Sequence, residues 1–193
     1  ALLLAGLDRY AEFGFTTAQE GRATAEAVAT EAALAELGKL KMDVVAYPDI
    51  QGAAAAIGGP FLSKTYTGHS RIGGAKLTLD GSPQGKTAWL TQPYFKPPQG
   101  QKDDYTGYGV VPDAKAIDYY STALRNRWQI LTHANGDRAI DQLLADFGRA
   151  REAVPGVDVR PVLVHGQTLR ENQVDRLKAL GIFPSMFPMH TFY

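Results

Sequence analysis

Gln129-Ile130-Leu131-Thr132-His133-Ala134-Asn135-Gly136-Asp137 is a short apolar run that stops at a histidine and turns at once into a helical stretch. A brief β-branched run followed by an amphipathic helix is the unit of a parallel sheet, in which helices return the chain to the same edge. The arrangement recurs downstream. Residues 160–164 (RPVLV) end at His165, and residues 182–187 lead past Pro188 and Met189 to His190. Upstream, strands are expected at residues 15–19, 43–47 and 75–79. Helices are expected over residues 1–12, 24–40, 113–127, 137–154 and 169–180, with a short Ala-rich one at 51–57. Asp113 and Asp137 read as N-caps of their helices.

Six apolar strands alternating with helices predict an α/β chain built on parallel strands with both faces covered. A doubly wound sheet and most of an eight-stranded barrel both fit that pattern. No glycine-rich phosphate loop follows any strand. The long segment 81–112, rich in Gly, Pro, Gln and Tyr, has neither periodicity and reads as a functional loop. Its aromatic residues Trp89, Tyr94, Phe95, Tyr105 and Tyr108 fit either an apolar substrate cover or a structural lid.

Composition narrows the function. The chain has 193 residues, 45% hydrophobic, with 20 basic and 20 acidic side chains and no cysteine. A balanced charge gives no broad electrostatic reason for nucleic acid or an anionic membrane as partner. Without cysteine there are no disulfides, thiolate metal sites or thiol nucleophiles. The apolar residues 1–7 are too short to cross a bilayer, and no membrane partner is expected. The compartment is left open, with the cytoplasm slightly favoured, and nothing opposes an oligomer.

Ligands of parallel sheets bind at the carboxyl ends of the strands. His133 and His165 end consecutive strands, where two neutral imidazoles can share one divalent ion. His190 is placed for a substrate contact, and His69 reads as a surface residue. Lys76 lies inside a strand beside Ala75, Leu77 and Leu79, where a free ammonium is costly. It can escape as an ion pair, as a depressed amine for Schiff-base chemistry, as a carbamate that bridges metals, or by snorkelling to the rim. Asp80 can orient a metal ligand, accept a substrate hydrogen bond or cap the loop. Asp137 is a helix cap or a partner that orients His133, and Glu20 is a weaker candidate at the same rim.

These pieces together resemble the YtcJ-like branch of the amidohydrolase superfamily, which includes N-substituted formamide deformylase. The residues that carry the resemblance are Gly14-Phe15-Thr16-Thr17, Lys76-Leu77-Thr78-Leu79-Asp80-Gly81-Ser82, Thr87-Ala88, Pro93-Tyr94, His133-Ala134-Asn135-Gly136-Asp137-Arg138-Ala139-Ile140-Asp141, Val164-His165-Gly166-Gln167 and Ser185 to His190. The resemblance implies a TIM-type (β/α)8 barrel, here incomplete, with about strands 2 to 7 present. It implies a carboxylated Lys76 shared between metals, with His133 and His165 as further ligands. The implied cofactor is one or two divalent ions, zinc being expected, and the implied activity is hydrolysis of amide or formamide-like C–N bonds in a small molecule by activated water.

The family pattern also includes a His-x-His pair on the first barrel strand and an aspartate on the eighth that acts as ligand and base. Neither occurs here, and Val164 stands where an acidic residue is usual. The expectation is therefore the central part of a hydrolase, lacking its first and last strands and its β-sandwich, inactive or weak by itself and with no catalytic base of its own. Two alternatives remain: a Schiff-base barrel enzyme using Lys76, and a barrel that binds without catalysis.

Overall fold

The computed structural model describes residues 2–187 and divides into two units, Ala1–Lys76 and Leu77–Tyr193. The chain passes from one to the other within a strand.

The first unit holds α1 (Leu2–Glu12), β1 (Thr17–Ala23), α2 (Ala25–Glu36), β2 (Asp43–Pro48) and β3 (Ser70–Ile72). Its sheet has the order β1-β2-β3, and both pairings are parallel. The Thr24 hydroxyl caps α2 by accepting the Ala27 N–H at 3.1 Å. That helix stops at Glu36 rather than at the expected residue 40, because Gly38 adopts φ 63° and ends it as left-handed caps do. Leu7, Ala35, Leu40, Met42 and Val44 form a small apolar core.

Two local expectations change here. β1 runs from Thr17 to Ala23, later than the expected 15–19, with a register shift between Glu20 and Ala23. The Ala-rich helix at 51–57 is a single 3-10 turn, Ala54–Ala56, with no side-chain cap at Ala53. β3 was not expected at all. Three residues are too few to display a period of two, and its pairing with Val44, Val45 and Ala46 is non-local.

β4 (Gly74–Thr78) carries the chain into the second unit, which continues with α3 (Asp113–Arg125), β5 (Gln129–Ala134), α4 (Asp137–Ala153), β6 (Val162–His165), α5 (Glu171–Leu180) and β7 (Phe183–Met186). The sheet order is β4-β5-β6-β7, with β5–β6 and β6–β7 parallel. Sequence order equals spatial order, which successive strand-helix-strand units produce when each crossover has the same hand. Tyr120 of α3 and Phe147 of α4 meet edge to face at 5.5 Å in a core with Leu124, Ile130, Ile140 and Leu163. The fold is α/β with parallel sheets, as expected.

Both anticipated helix caps are corrected. Pro112 and Gly136 are the N-caps of α3 and α4, so Asp113 and Asp137 are first-turn residues, placed to favour the positive helix end.

Candidate active site

Parallel pairing of β5 with β6 places Ala134 opposite His165 and His133 opposite Val164. The two histidines therefore leave neighbouring strands at the same end. Their rings meet edge to face, with centroids 4.6 Å apart. Cross-links hold the two strand ends together. Gly166 N–H donates to the Ala134 carbonyl at 3.1 Å, and Thr168 donates both its N–H and its hydroxyl to the Asn135 carbonyl at 3.1 and 3.0 Å. His165 itself adopts φ 79°, followed by Gly166 at φ 59°. A left-handed non-glycine residue costs about 1–3 kcal/mol and persists where the surroundings impose it, most often at functional sites.

Asp80 lies at the heart of the same strand ends and is only 1% exposed. One carboxylate oxygen accepts the Asn135 N–H at 2.9 Å; the other accepts Gly136 N–H at 2.7 Å and Trp89 N–H at 2.9 Å. His133 Nε2 is 3.5 Å from the first oxygen. Burial raises the Asp80 carboxyl above the usual carboxylate range, and the three amides and His133 offset only part of that rise. With both oxygens taken, Asp80 joins the 81–112 loop at Trp89 to the turn after β5.

The neighbouring Gly81 carbonyl faces His133 Nε2 at 2.9 Å and accepts the Asn135 side-chain N–H at 2.7 Å. Asn135 was not singled out by sequence, since its partners Asp80, Gly81 and Thr168 lie 55, 54 and 33 residues away and no local pattern announces them.

Asp137 does not turn to His133 in its hydrogen bonds. Its carboxylate accepts the Thr91 N–H at 2.8 Å, the Thr91 hydroxyl, and Arg170 at 2.5 Å. The Arg170 guanidinium also binds both oxygens of Asp141, at 2.9 and 2.7 Å. These charge-assisted bonds hold Asp137 below the usual carboxylate range, against the opposing effect of burial. The network ties the 81–112 loop to the starts of α4 and α5. Two of the loop aromatics are occupied within the loop: Tyr94 and Tyr105 stack at 5.8 Å and donate to the Ala88 and Lys86 carbonyls at 2.9 and 2.8 Å. Phe95 is 95% exposed.

In the first unit, Lys76 is buried and bridges Asp49 in parallel pairing. Burial lowers its ammonium to about 8, Arg22 adding to the effect and Asp49 opposing it. His69 is half exposed and pairs with Asp43 at 2.8 Å, as a surface residue does. Glu20 accepts the Arg22 N–H at 3.0 Å and is exposed. His190 lies outside the described residues. Among the described residues no cluster of three or more His, Asp or Glu is arranged to hold a metal, and no helix is long and apolar enough to cross a membrane.

Comparison with known proteins gives a consistent set of relatives. A family model described as Amidohydrolase family matches residues 1–193. The Arabidopsis thaliana protein LONG AFTER FAR-RED 3 is 28% identical over 119 residues, 62% of this chain and 20% of its own length. An uncharacterised metal-dependent hydrolase from Pyrococcus furiosus superposes with a TM-score of 0.79 at 24% identity, over 98% of this chain and 38% of that one. Another from Pyrococcus horikoshii OT3 gives 0.77 at 23% identity, over 96% and 36%. The chain thus spans well under half the length of each, and at these identities the two superpositions show a shared fold.

Proposed function

Because the chain belongs to the amidohydrolase family, we propose that the protein is a metal-dependent hydrolase of small amide or formamide-like molecules, with His133 and His165 among its metal ligands. The observation that carries this reading is the pair of imidazoles on adjacent parallel strands, 4.6 Å apart between centroids, one held in a left-handed backbone conformation. Imidazole nitrogens suit zinc and several other divalent ions, so the two side chains fit as part of a donor set. The chemistry supplied when such an ion is bound is activation of water and polarisation of a carbonyl near neutral pH.

The protein's own residues do the holding. The Gly81 carbonyl and the Asp80 carboxylate orient the His133 ring, and the Asn135 carbonyl ties the His165 turn to β5. Arg170 and Asp137 fasten the 81–112 loop beside these strand ends through Thr91. The finer assignment to the YtcJ-like branch, and with it C–N specificity, rests on the motif order from Lys76 to Gln167. On the same resemblance we assign Lys76 as a carboxylated lysine. Its burial and depressed amine support that chemistry. The depressed amine equally supports a second reading, Lys76 as a Schiff-base nucleophile, which borohydride trapping with a carbonyl substrate would reveal.

The deciding experiment is metal analysis and amide-hydrolysis screening of the intact protein beside His133→Ala and His165→Ala. Each variant should lose metal affinity by on the order of tenfold or more, and activity with it. A chelator should abolish hydrolysis, and zinc should restore it. Variants that keep wild-type metal content and activity would refute the assignment.

A further inference from the structure

Sequence places Asp80 three residues beyond the apolar Leu77, at the mouth of a strand, where a carboxylate would ordinarily turn to solvent. Instead it is 1% exposed. Three backbone N–H groups donate to its two oxygens, those of Trp89, Asn135 and Gly136 at 2.9, 2.9 and 2.7 Å, and His133 Nε2 lies 3.5 Å away. None of these three amides can accept a proton from a carboxylic acid, so the arrangement is built for the anion.

The three amides come from two places that meet at His133. Asn135 and Gly136 form the turn directly after β5, and Trp89 belongs to the 81–112 loop. Fixing them fixes the Gly81 carbonyl between them. That turn is tight: a side chain on Gly81 would collide with the Thr87 hydroxyl, whose oxygen accepts the Ser82 N–H at 3.0 Å. The Gly81 carbonyl then receives two donors, the Asn135 side-chain N–H at 2.7 Å and His133 Nε2 at 2.9 Å. A carbonyl oxygen has two lone pairs and no proton to give, so Nε2 must carry the hydrogen. The amide of Asn135 cannot be turned over, because its oxygen would then face the carbonyl oxygen. The 3.1 Å between Asn135 Nδ2 and His133 Nε2 is therefore two donors converging on one acceptor.

We propose that Asp80 is the positioning residue of His133: its buried carboxylate anchors the post-β5 turn and the loop so that Gly81 meets Nε2, and its charge keeps the ring proton on that nitrogen. The imidazole lone pair is thereby committed to Nδ1. A ring locked in one tautomer binds a metal without first rearranging, which is how partners behind a ligand raise its affinity. This deepens the hydrolase reading and rests on it only for its metal consequence.

The test separates the two claims. Nitrogen-15 NMR of the histidine rings in the metal-free intact protein at about pH 8, above the ordinary imidazole range, reads the tautomer directly. Wild type should show His133 as the Nε2–H form. In Asp80→Asn the charge is gone and one amide N–H is left facing the new NH2 group, so the tautomer ratio should fall by roughly tenfold, and cobalt(II) affinity by on the order of tenfold. Tyr105→Phe, which deletes a loop bond to Lys86 elsewhere, should lower the melting temperature and leave the tautomer unchanged. A wild-type ring in the Nδ1–H form overturns the proposal, and this needs no variant to fold. So does a folded Asp80→Asn with an unchanged tautomer ratio. Wild type that shows the Nε2–H form and binds no cobalt would count against the metal reading and uphold the positioning one.

Discussion

Gly136→Ala isolates the closest backbone approach at the candidate site. The native φ of −75° and ψ of 144° are ordinary for any residue, so the cost is steric. A Cβ at this position would lie 2.6 Å from the Trp89 nitrogen, and closer still to its carbonyl group. Relief to an ordinary contact needs a retreat of roughly 1.5 Å by the Trp89 carbonyl. That segment is tied on both sides. Trp89 N–H donates to Asp80 at 2.9 Å, and its carbonyl accepts the N–H groups of Arg138 and Ala139 at 3.1 and 3.4 Å. Moving it stretches those bonds past useful length, and each buried group left unsatisfied costs about 1–3 kcal/mol. With partial relaxation, the loss should be about 3–5 kcal/mol, a melting-temperature drop on the order of 10 °C for a chain of this size. Gly148→Ala in α4 is the matched control, since its Cβ meets nothing nearer than Leu180 at 3.9 Å. Adding a methyl group inside a helix should stabilise by roughly 0.5–1 kcal/mol. Urea unfolding followed by tryptophan fluorescence measures both. A loss below about 1 kcal/mol for Gly136→Ala, or the same sign for the two substitutions, would refute the steric argument.

Asp146 is buried beside Asp113, and burial first, then that like charge, raise its carboxyl to about 6 despite Arg149. A folded-state value above the unfolded one means the stabilising contribution is complete below about 3.8 and is lost as pH rises through about 6. At neutral pH that loss is up to about 3 kcal/mol. Asp146→Asn should therefore be more stable than wild type at pH 7 and lose that advantage near pH 4; a difference independent of pH would contradict it. Lys76, with its ammonium lowered to about 8, should be about one quarter neutral at pH 7.5, against roughly a thousandth for an ordinary lysine. Its Nζ lone pair can then attack carbon dioxide, forming the N–C bond and releasing one proton to solvent. Carbon-13 bicarbonate should give a carbamate resonance that Lys76→Met lacks, and its absence up to pH 9 would sink the carbamate.

Alternation of strand and helix was legible along the chain because each element reports its own period within a few residues. His133 and His165 could be placed at strand ends by the same local reading. Lys76 stood out because an ammonium within an apolar run needs an explanation wherever the strand lies. The three-residue β3 escaped because its pairing comes from a neighbouring strand, not from its own composition.

The site's supports were hidden for the same reason. Asp80 reaches Asn135 and Gly136 across 55 and 56 residues, and Arg170 reaches Asp137 across 33. Sequence shows that Asp80 and Asp137 are acidic and near turns; it cannot show which donors will surround them. Only the folded chain decided that Asp80 is a buried anchor, that Asp137 fastens a loop through Thr91 and Arg170, and that Asn135 stands beside the His133 ring. The physical division is one of range. Backbone preference and hydrophobic period act over a few residues, whereas a carboxylate's role is set by whichever N–H groups the tertiary fold brings within 3 Å of it.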